Sequence, residues 1–278
     1  MQVQLKNYTF QINPGKNKHY WTHINATDWE PHTFAIFDQF IDKDAVVLDI
    51  GSWSGVLTLY AAKIAKEVHA LDPDPVCFEE LNTNVQLNPS IAEKVKTYQI
   101  AISNKKESSR LSAREHYGAS SSSILQRKRD TENSLELETI SLNEFLEKEK
   151  ISKVDFIKMD VEGAEFKILP TIGKALQKTN YPTLYVSFHY HFLNEHFYQK
   201  HVPSVFLNKL LLRLEQTFGF SLFGKQIQKE LAPLFEDLKA YRYVYKSDGT
   251  LIDFETLQSK PTIIKETDLV FTNVEWII

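Results

Sequence analysis

Two hydrophobic patterns alternate along the chain: short unbroken apolar runs ending in acids and glycine, and longer stretches with apolar residues three or four apart. The clearest case runs from Ala45 to Asp72, AVVLDIGSWSGVLTLYAAKIAKEVHALD. Ala45 to Ile50 reads as a parallel strand buried on both faces. The chain then turns at Gly51-Ser52-Trp53-Ser54-Gly55. From Val56 onward Leu57, Leu59, Tyr60, Ala61 and Ile64 recur at helical spacing, and Val68 to Leu71 restores a strand. A right-handed crossover of this kind sets the loop at the carboxyl edge of an open sheet, where α/β folds bind ligands.

The remaining segments follow from the same patterns. Alternation around Val3, Leu5, Tyr8, Phe10 and Ile12 predicts a small hairpin with a turn at Pro14-Gly15. Asp28-Trp29-Glu30-Pro31 opens a helix with Phe34, Phe37, Phe40 and Ile41 on one face. Glu30 has two readings: a carboxylate over the ligand edge, pairing with an ammonium, or a helix-dipole residue. Asp74 and Pro75 start a helix bearing Phe78, Leu81 and Val85. A third strand near 96–100 delivers Ala101 to the edge, either as a flat seat for an adenine ring or as simple packing. Residues 104–135 form a loop excursion with a serine run at 118–123, read as a lid or as a solvated tip, between hairpin-like flanks near 110–113 and 135–140. Ser141 with Glu144 makes a capping box.

Val154 to Glu165 repeats the informative pattern, a strand ending in acids and glycine before a helix. Asp160 and Glu162 therefore emerge at the same edge as Gly51, and an apolar strand rarely ends in two carboxylates without a partner for them. Pro182 to Phe188 is a fifth buried strand and delivers His189-Tyr190-His191. A helix over 203–218 has a broad apolar face, including Val205, for the core or a subunit contact. Segments 240–245 and 268–274 are the last, hairpin-like strands, and Glu275-Trp276-Ile277-Ile278 is a candidate edge for a homodimer.

Asp49 ends the first strand, and Asp72 ends the second about 20 residues after the loop, where a ribose-binding carboxylate sits in dinucleotide folds. Gly51 and Gly55 give GxxxG, without the GxGxxG turn or the Walker lysine that cradle phosphates. The spacing suits an adenosyl ligand with a cationic sulfonium, S-adenosylmethionine, while an ordinary tight βα turn is the plain alternative. Histidine titrates near neutrality, so His189 is a candidate general base for a hydroxyl, with Asp160 or Glu162 orienting it or the acceptor. The His-x-His spacing leaves metal and structural readings open beside it, and no metal is expected.

The 278 residues suffice for a large core. A formal net charge of −4 with interspersed Lys and Arg gives no footprint for nucleic acid and no polybasic membrane patch. One cysteine, Cys77, excludes a disulfide framework and suits a reducing, cytoplasmic setting. Neither a signal peptide nor a membrane-spanning run is expected.

DIGSWSG, ALDPDP, the serine loop, DFIKMDVEGAEFKIL and LYVSFH together resemble the FkbM family of S-adenosylmethionine-dependent methyltransferases, from about Trp29 to His191. The resemblance implies an α/β, Rossmann-like class I methyltransferase fold: a seven-stranded, mostly parallel sheet with helices on both faces. It implies a methyltransferase domain over 31–278 behind an N-terminal hairpin over 1–30, and O-methylation of sugar, glycan or natural-product hydroxyls. Motif residues fall on Asp49, Gly51, Ser52 and Gly55, the ribose acid on Asp72, a pre-sheet acid on Glu30, and the signature acids on Asp160 and Glu162. Ser52-Trp53 stands where many members carry Ala-Asn, and Asp72-Pro73 where many carry Glu-Pro, both compatible with ribose and adenosyl contact. Ser187 stands where many members have glutamate. A nicotinamide-dependent oxidoreductase and a non-catalytic module of the same fold are the alternatives.

Overall fold

A computed structural model describes residues 1–113, 116–125, 134–202, 204–218 and 221–277. Among the described residues there are β1 (Gln2–Leu5), β2 (Tyr8–Gln11), β3 (Val46–Ile50), β4 (Glu67–Leu71), β5 (Val95–Tyr98), β6 (Ala101–Ser103) and β7 (Glu107–Ser112). They are followed by β8 (Ser134–Ser141), β9 (Phe156–Met159), β10 (Thr183–Val186), β11 (Tyr243–Lys246), β12 (Leu251–Ile252) and β13 (Leu269–Thr272). The main sheet has the order β12-β11-β13-β10-β9-β3-β4-β5. Five neighbours, β10 to β5, run parallel, and β13 enters antiparallel between β10 and β11. The sheet thus has eight strands where seven were expected, one of them the two-residue β12.

Alternate residues of the central strands feed two cores. Leu48, Ile50, Ile157, Met159, Leu184 and Val186 join the helices Leu142–Lys148 and Glu165–Ile168 on one face. Val47, Val68, Ala70, Phe156 and Tyr185 join the helices Pro31–Phe40 and Val56–Ile64 on the other. Strands covered on both faces need apolar residues throughout, which is why Val46–Ile50 and Phe156–Met159 lack an alternating pattern.

Local signals account for several boundaries. Asp74 caps the helix Pro75–Gln86, its Oδ1 accepting from the amides of Val76 and Cys77 at 2.9 and 3.3 Å. Ser141 and Glu144 close a capping box. The hairpin turns between β1 and β2 at Lys6 and Asn7 rather than at Pro14-Gly15, and Lys18–Ala26 is helical. Val3, Leu5, Phe10 and Ile12 are buried in the same core as the helices Lys18–Ala26 and Val56–Ile64. At about 1.5–3 kcal/mol for each fully buried large aliphatic or aromatic side chain, that face anchors the hairpin. The division of the chain near residue 30 stands as a proposal.

β6, β8 and β7 form a separate three-stranded sheet, so Ala101 belongs to the excursion rather than to the end of β5. The helix Val205–Phe218 differs most from expectation, because Phe206, Leu207 and Leu210 are exposed and do not reach the core. Pro203 and the side chain of Val205 lie outside the described residues, as does Ile278. No described helix is long and apolar enough to cross a membrane.

Candidate active site

Strand register assembles the site. Ile50 pairs with both Leu71 and Met159, and Met159 pairs with Val186, so Gly51, Asp72, Asp160 and Ser187 leave the sheet side by side. The amides of Gly51 and Ser52 donate to the Leu71 carbonyl at 2.9 and 3.0 Å, curling the loop over β4. Gly51 has φ +83°, and a Cβ there would stand 1.8 Å from the Asp160 carbonyl oxygen, so only glycine fits where the two strand ends touch.

A cavity of about 280 Å³ opens above this edge. Glu30, Gly51, Ser52, Trp53, Asp72, Pro73, Ala101, Asp160, Glu162 and His189 all line it. Asp49 and Gly55 do not. Asp49 is buried beneath the loop, where it accepts from the Thr58 hydroxyl at 2.6 Å and lies 3.4 Å from Lys158 Nζ. Gly55 turns at φ +99° against Leu81. These two shape the loop without facing the cavity.

Asp72 is 8 % exposed. Its two oxygens accept from the amides of Trp53 at 2.8 Å and Asp74 at 2.9 Å. Burial nevertheless pushes its pKa up to about 7. Glu30 ends the turn before Pro31 in the left-handed region, φ +45°, with no capping bond from its side chain. It is exposed yet lines the cavity, and partial enclosure there, with Asp160 nearby, raises its pKa to about 6.

Lys158 was missed from sequence. It is Asp49's register partner, and its Nζ donates to the Gly51 carbonyl at 2.7 Å while lying 3.4 Å from Asp160. Burial opposes its charge, but Asp160, Asp49 and Glu30 outweigh burial and hold its pKa above the usual range. The signal was available: a lysine inside the apolar run Phe156–Met159 requires carboxylate partners.

Glu165 was missed as well. Fully buried, it accepts from the amides of Val161 and Gly163 at 2.8 and 2.9 Å and lies 3.1 Å from His189 Nδ1. His189 Nε2 faces Asp160 Oδ1 at 3.5 Å and Glu162 Oε1 at 3.4 Å. Burial works against an imidazolium, yet Glu165, Asp160 and Glu162 prevail and push its pKa to about 10. Asp160, Glu162 and His189 each offer a ligand atom within 4.8 Å of the others, a group able to hold a metal ion. His191 is exposed and lies outside that group, because the chain turns into the helix Tyr190–His201 directly after His189 and breaks the strand alternation.

The serine run forms a wall of the cavity through Ala119, Ser120 and Ser122. Asp74 Oδ2 accepts from the Gly118 amide at 3.0 Å and the Ser122 hydroxyl at 2.7 Å. The Gly118 carbonyl accepts from Trp53 Nε1 and Asn17 Nδ2, both at 2.8 Å.

These residues fit an adenosyl cofactor. A buried carboxylate ends the second strand, and the Ser52 hydroxyl is buried without a hydrogen-bond partner. The phosphate-binding glycine pattern is absent from the loop. Fold and site define a class I methyltransferase whose cofactor is S-adenosylmethionine. The chain belongs to the FkbM methyltransferase family, whose domain model matches residues 44–221.

An uncharacterized protein of Methanocaldococcus jannaschii is 38% identical over 72 residues, 24% of this chain and 27% of that protein. The hexuronic acid methyltransferase AglP of Haloferax volcanii is 29% identical over 140 residues, 50% of this chain and 55% of that protein. The matches thus span little more than half of these relatives at most. A solved FkbM methyltransferase from Methylobacillus flagellatus aligns with TM-score 0.38 and 15% identity, covering 53% of this chain and 33% of that one.

Proposed function

We propose that the chain transfers a methyl group from S-adenosylmethionine to a hydroxyl of a sugar, a glycan or a small natural product. One observation carries the reading: Asp160, Glu162 and His189 open into the same cavity as Gly51 and Asp72. The likeness to a hexuronic acid methyltransferase supports a sugar acceptor. When bound, the cofactor supplies a methyl group activated on a sulfonium.

The chain's own residues divide the remaining work. Asp72 and Ser52 receive ribose hydroxyls, Ala101 and Pro73 leave a flat surface for adenine, and Glu30 faces the ligand's ammonium. Carboxylates accept hydrogen bonds from alcohols, so Asp160 and Glu162 hold the acceptor hydroxyl in line. A hydroxyl also needs a base as the new bond forms, and positioning with proton removal supplies most of the rate. His189 is cationic at neutral pH in this setting. The proton therefore passes to Asp160 or Glu162, and His189, braced by Glu165, fixes that pair. This differs from the direct base role expected for His189.

A second reading is favoured by the 4.8 Å grouping of Asp160, Glu162 and His189. A divalent ion held there would replace the histidine's proton and bind the acceptor oxygen itself. Incubation with S-adenosylmethionine and a panel of sugars, with and without a chelator, tests both. Release of S-adenosylhomocysteine with a sugar supports the function, and chelator sensitivity selects the metal. Absence of product with every hydroxyl acceptor, despite cofactor binding, refutes the acceptor class.

A further inference from the structure

The helix Val205–Phe218 is turned inside out. Among its described side chains the buried ones are Asn208 and Glu215, seven residues and two turns apart, at 6 and 7 % exposure. Glu215 accepts from Asn194 Nδ2 at 2.9 Å and from the Leu222 amide at 2.8 Å. Phe206 and Phe218 meanwhile stand 78 and 70 % exposed, with Leu207, Leu210 and Leu222 also exposed. A helix packed only against its own domain shows the reverse arrangement. Five of the eleven exposed large hydrophobic side chains of the described residues thus fall between positions 206 and 222.

Charge identifies what covers this face. Against the expectation that the chain has no basic patch for a membrane, residues 196–230 hold five Lys or Arg and two glutamates in a chain of net charge −4, and one of those glutamates, Glu215, is buried. Lys209 and Arg213 are exposed one turn apart beside Phe206 and Leu210. A symmetric contact with a second copy would set this basic face against itself. An anionic lipid surface satisfies both the apolar side chains and the cations that border them.

We infer that the outer face of Val205–Phe218 docks on an anionic lipid bilayer as an interfacial helix. The inference is independent of the acceptor, since none of these residues lines the cavity. Sedimentation with phosphatidylcholine vesicles, with and without phosphatidylglycerol, tests it on the full chain. Binding is expected to the anionic vesicles, weakened by salt, and reduced about ten-fold by the pair Phe206→Ser and Phe218→Ser. Lys209→Glu with Arg213→Glu should abolish the preference for anionic lipid. Circular dichroism and S-adenosylhomocysteine binding should not change in either pair. Failure of the native chain to bind, or equal binding by the variants, overturns the inference. So does a concentration-dependent dimer that the serine variants dissociate, because the face is then a contact between copies.

Discussion

Glu165 Oε1 and His189 Nδ1 are 3.1 Å apart, and the carboxylate that holds the ring is itself fully buried and bonded to two backbone amides. A strand-end histidine is thereby locked into one orientation by the first turn of the helix that follows β9. Replacing Glu165 with Gln should drop the His189 pKa well below 10, read by NMR titration of the ring. Turnover should fall by about 10²-fold or more, the scale of a misplaced proton-transfer group. An unmoved ring titration would remove Glu165 from this role.

The pH profile separates the two candidate proton acceptors. His189 is raised to about 10 from an ordinary value near 6.5, so it is neutral only above about pH 10. A carboxylate acceptor predicts kcat/KM that is already level between pH 7 and 9. A histidine acceptor predicts a tenfold rise per pH unit through that range. The stabilisation from the charged cluster is fully present below pH 6.5 and is lost as pH rises through 10, so the melting temperature should fall across that window.

His189→Ala should lower turnover far more than cofactor affinity. Comparable losses in single-turnover rate and in calorimetric affinity would reassign the residue to cofactor binding.

Asp72 couples cofactor binding to pH with the opposite sign. Its carboxyl is raised to about 7 in the free protein, and ribose hydroxyls donate more strongly to the charged form, so binding near pH 7 favours loss of its proton. S-adenosylhomocysteine should bind progressively more weakly as pH falls below 7. Asp72→Ala should weaken binding and flatten that dependence, both measured by calorimetry. An unchanged slope would deny Asp72 the ribose.

Gly51→Ala forces a methyl group against the Asp160 carbonyl in a left-handed backbone. Strain at such a position costs about 1–3 kcal/mol, before the strand ends shift. Denaturant unfolding should show the loss, with cofactor affinity falling in parallel.

Much of the sheet edge could be read directly from the residues. The runs 45–50 and 67–72 needed no tertiary information, because strands buried on both faces must be apolar and a carboxylate at their ends stands out. The same logic placed Asp160 and Glu162. What escaped depended on pairing across the chain: Lys158 acquires meaning only when register sets it beside Asp49. Glu165 opens the helix after β9 and acquires its role only because His189 lies against it. The His-x-His pair does not converge because β10 ends at Val186, two residues before the expected Phe188, and the chain is helical from Tyr190. The helix Val205–Phe218 looked like core, since periodicity reports which residues share a face and not which way that face points.

The Gly118 carbonyl joins three distant parts of the chain, accepting one hydrogen bond from Asn17 before the main sheet begins and another from the indole of Trp53 in the glycine loop. A nucleoside bound as proposed would sit behind that clasp, with Asn17 as its outer post. Replacing Asn17 with Ala should therefore alter how quickly spent cofactor is exchanged, even where every group that touches the transferred carbon is left intact.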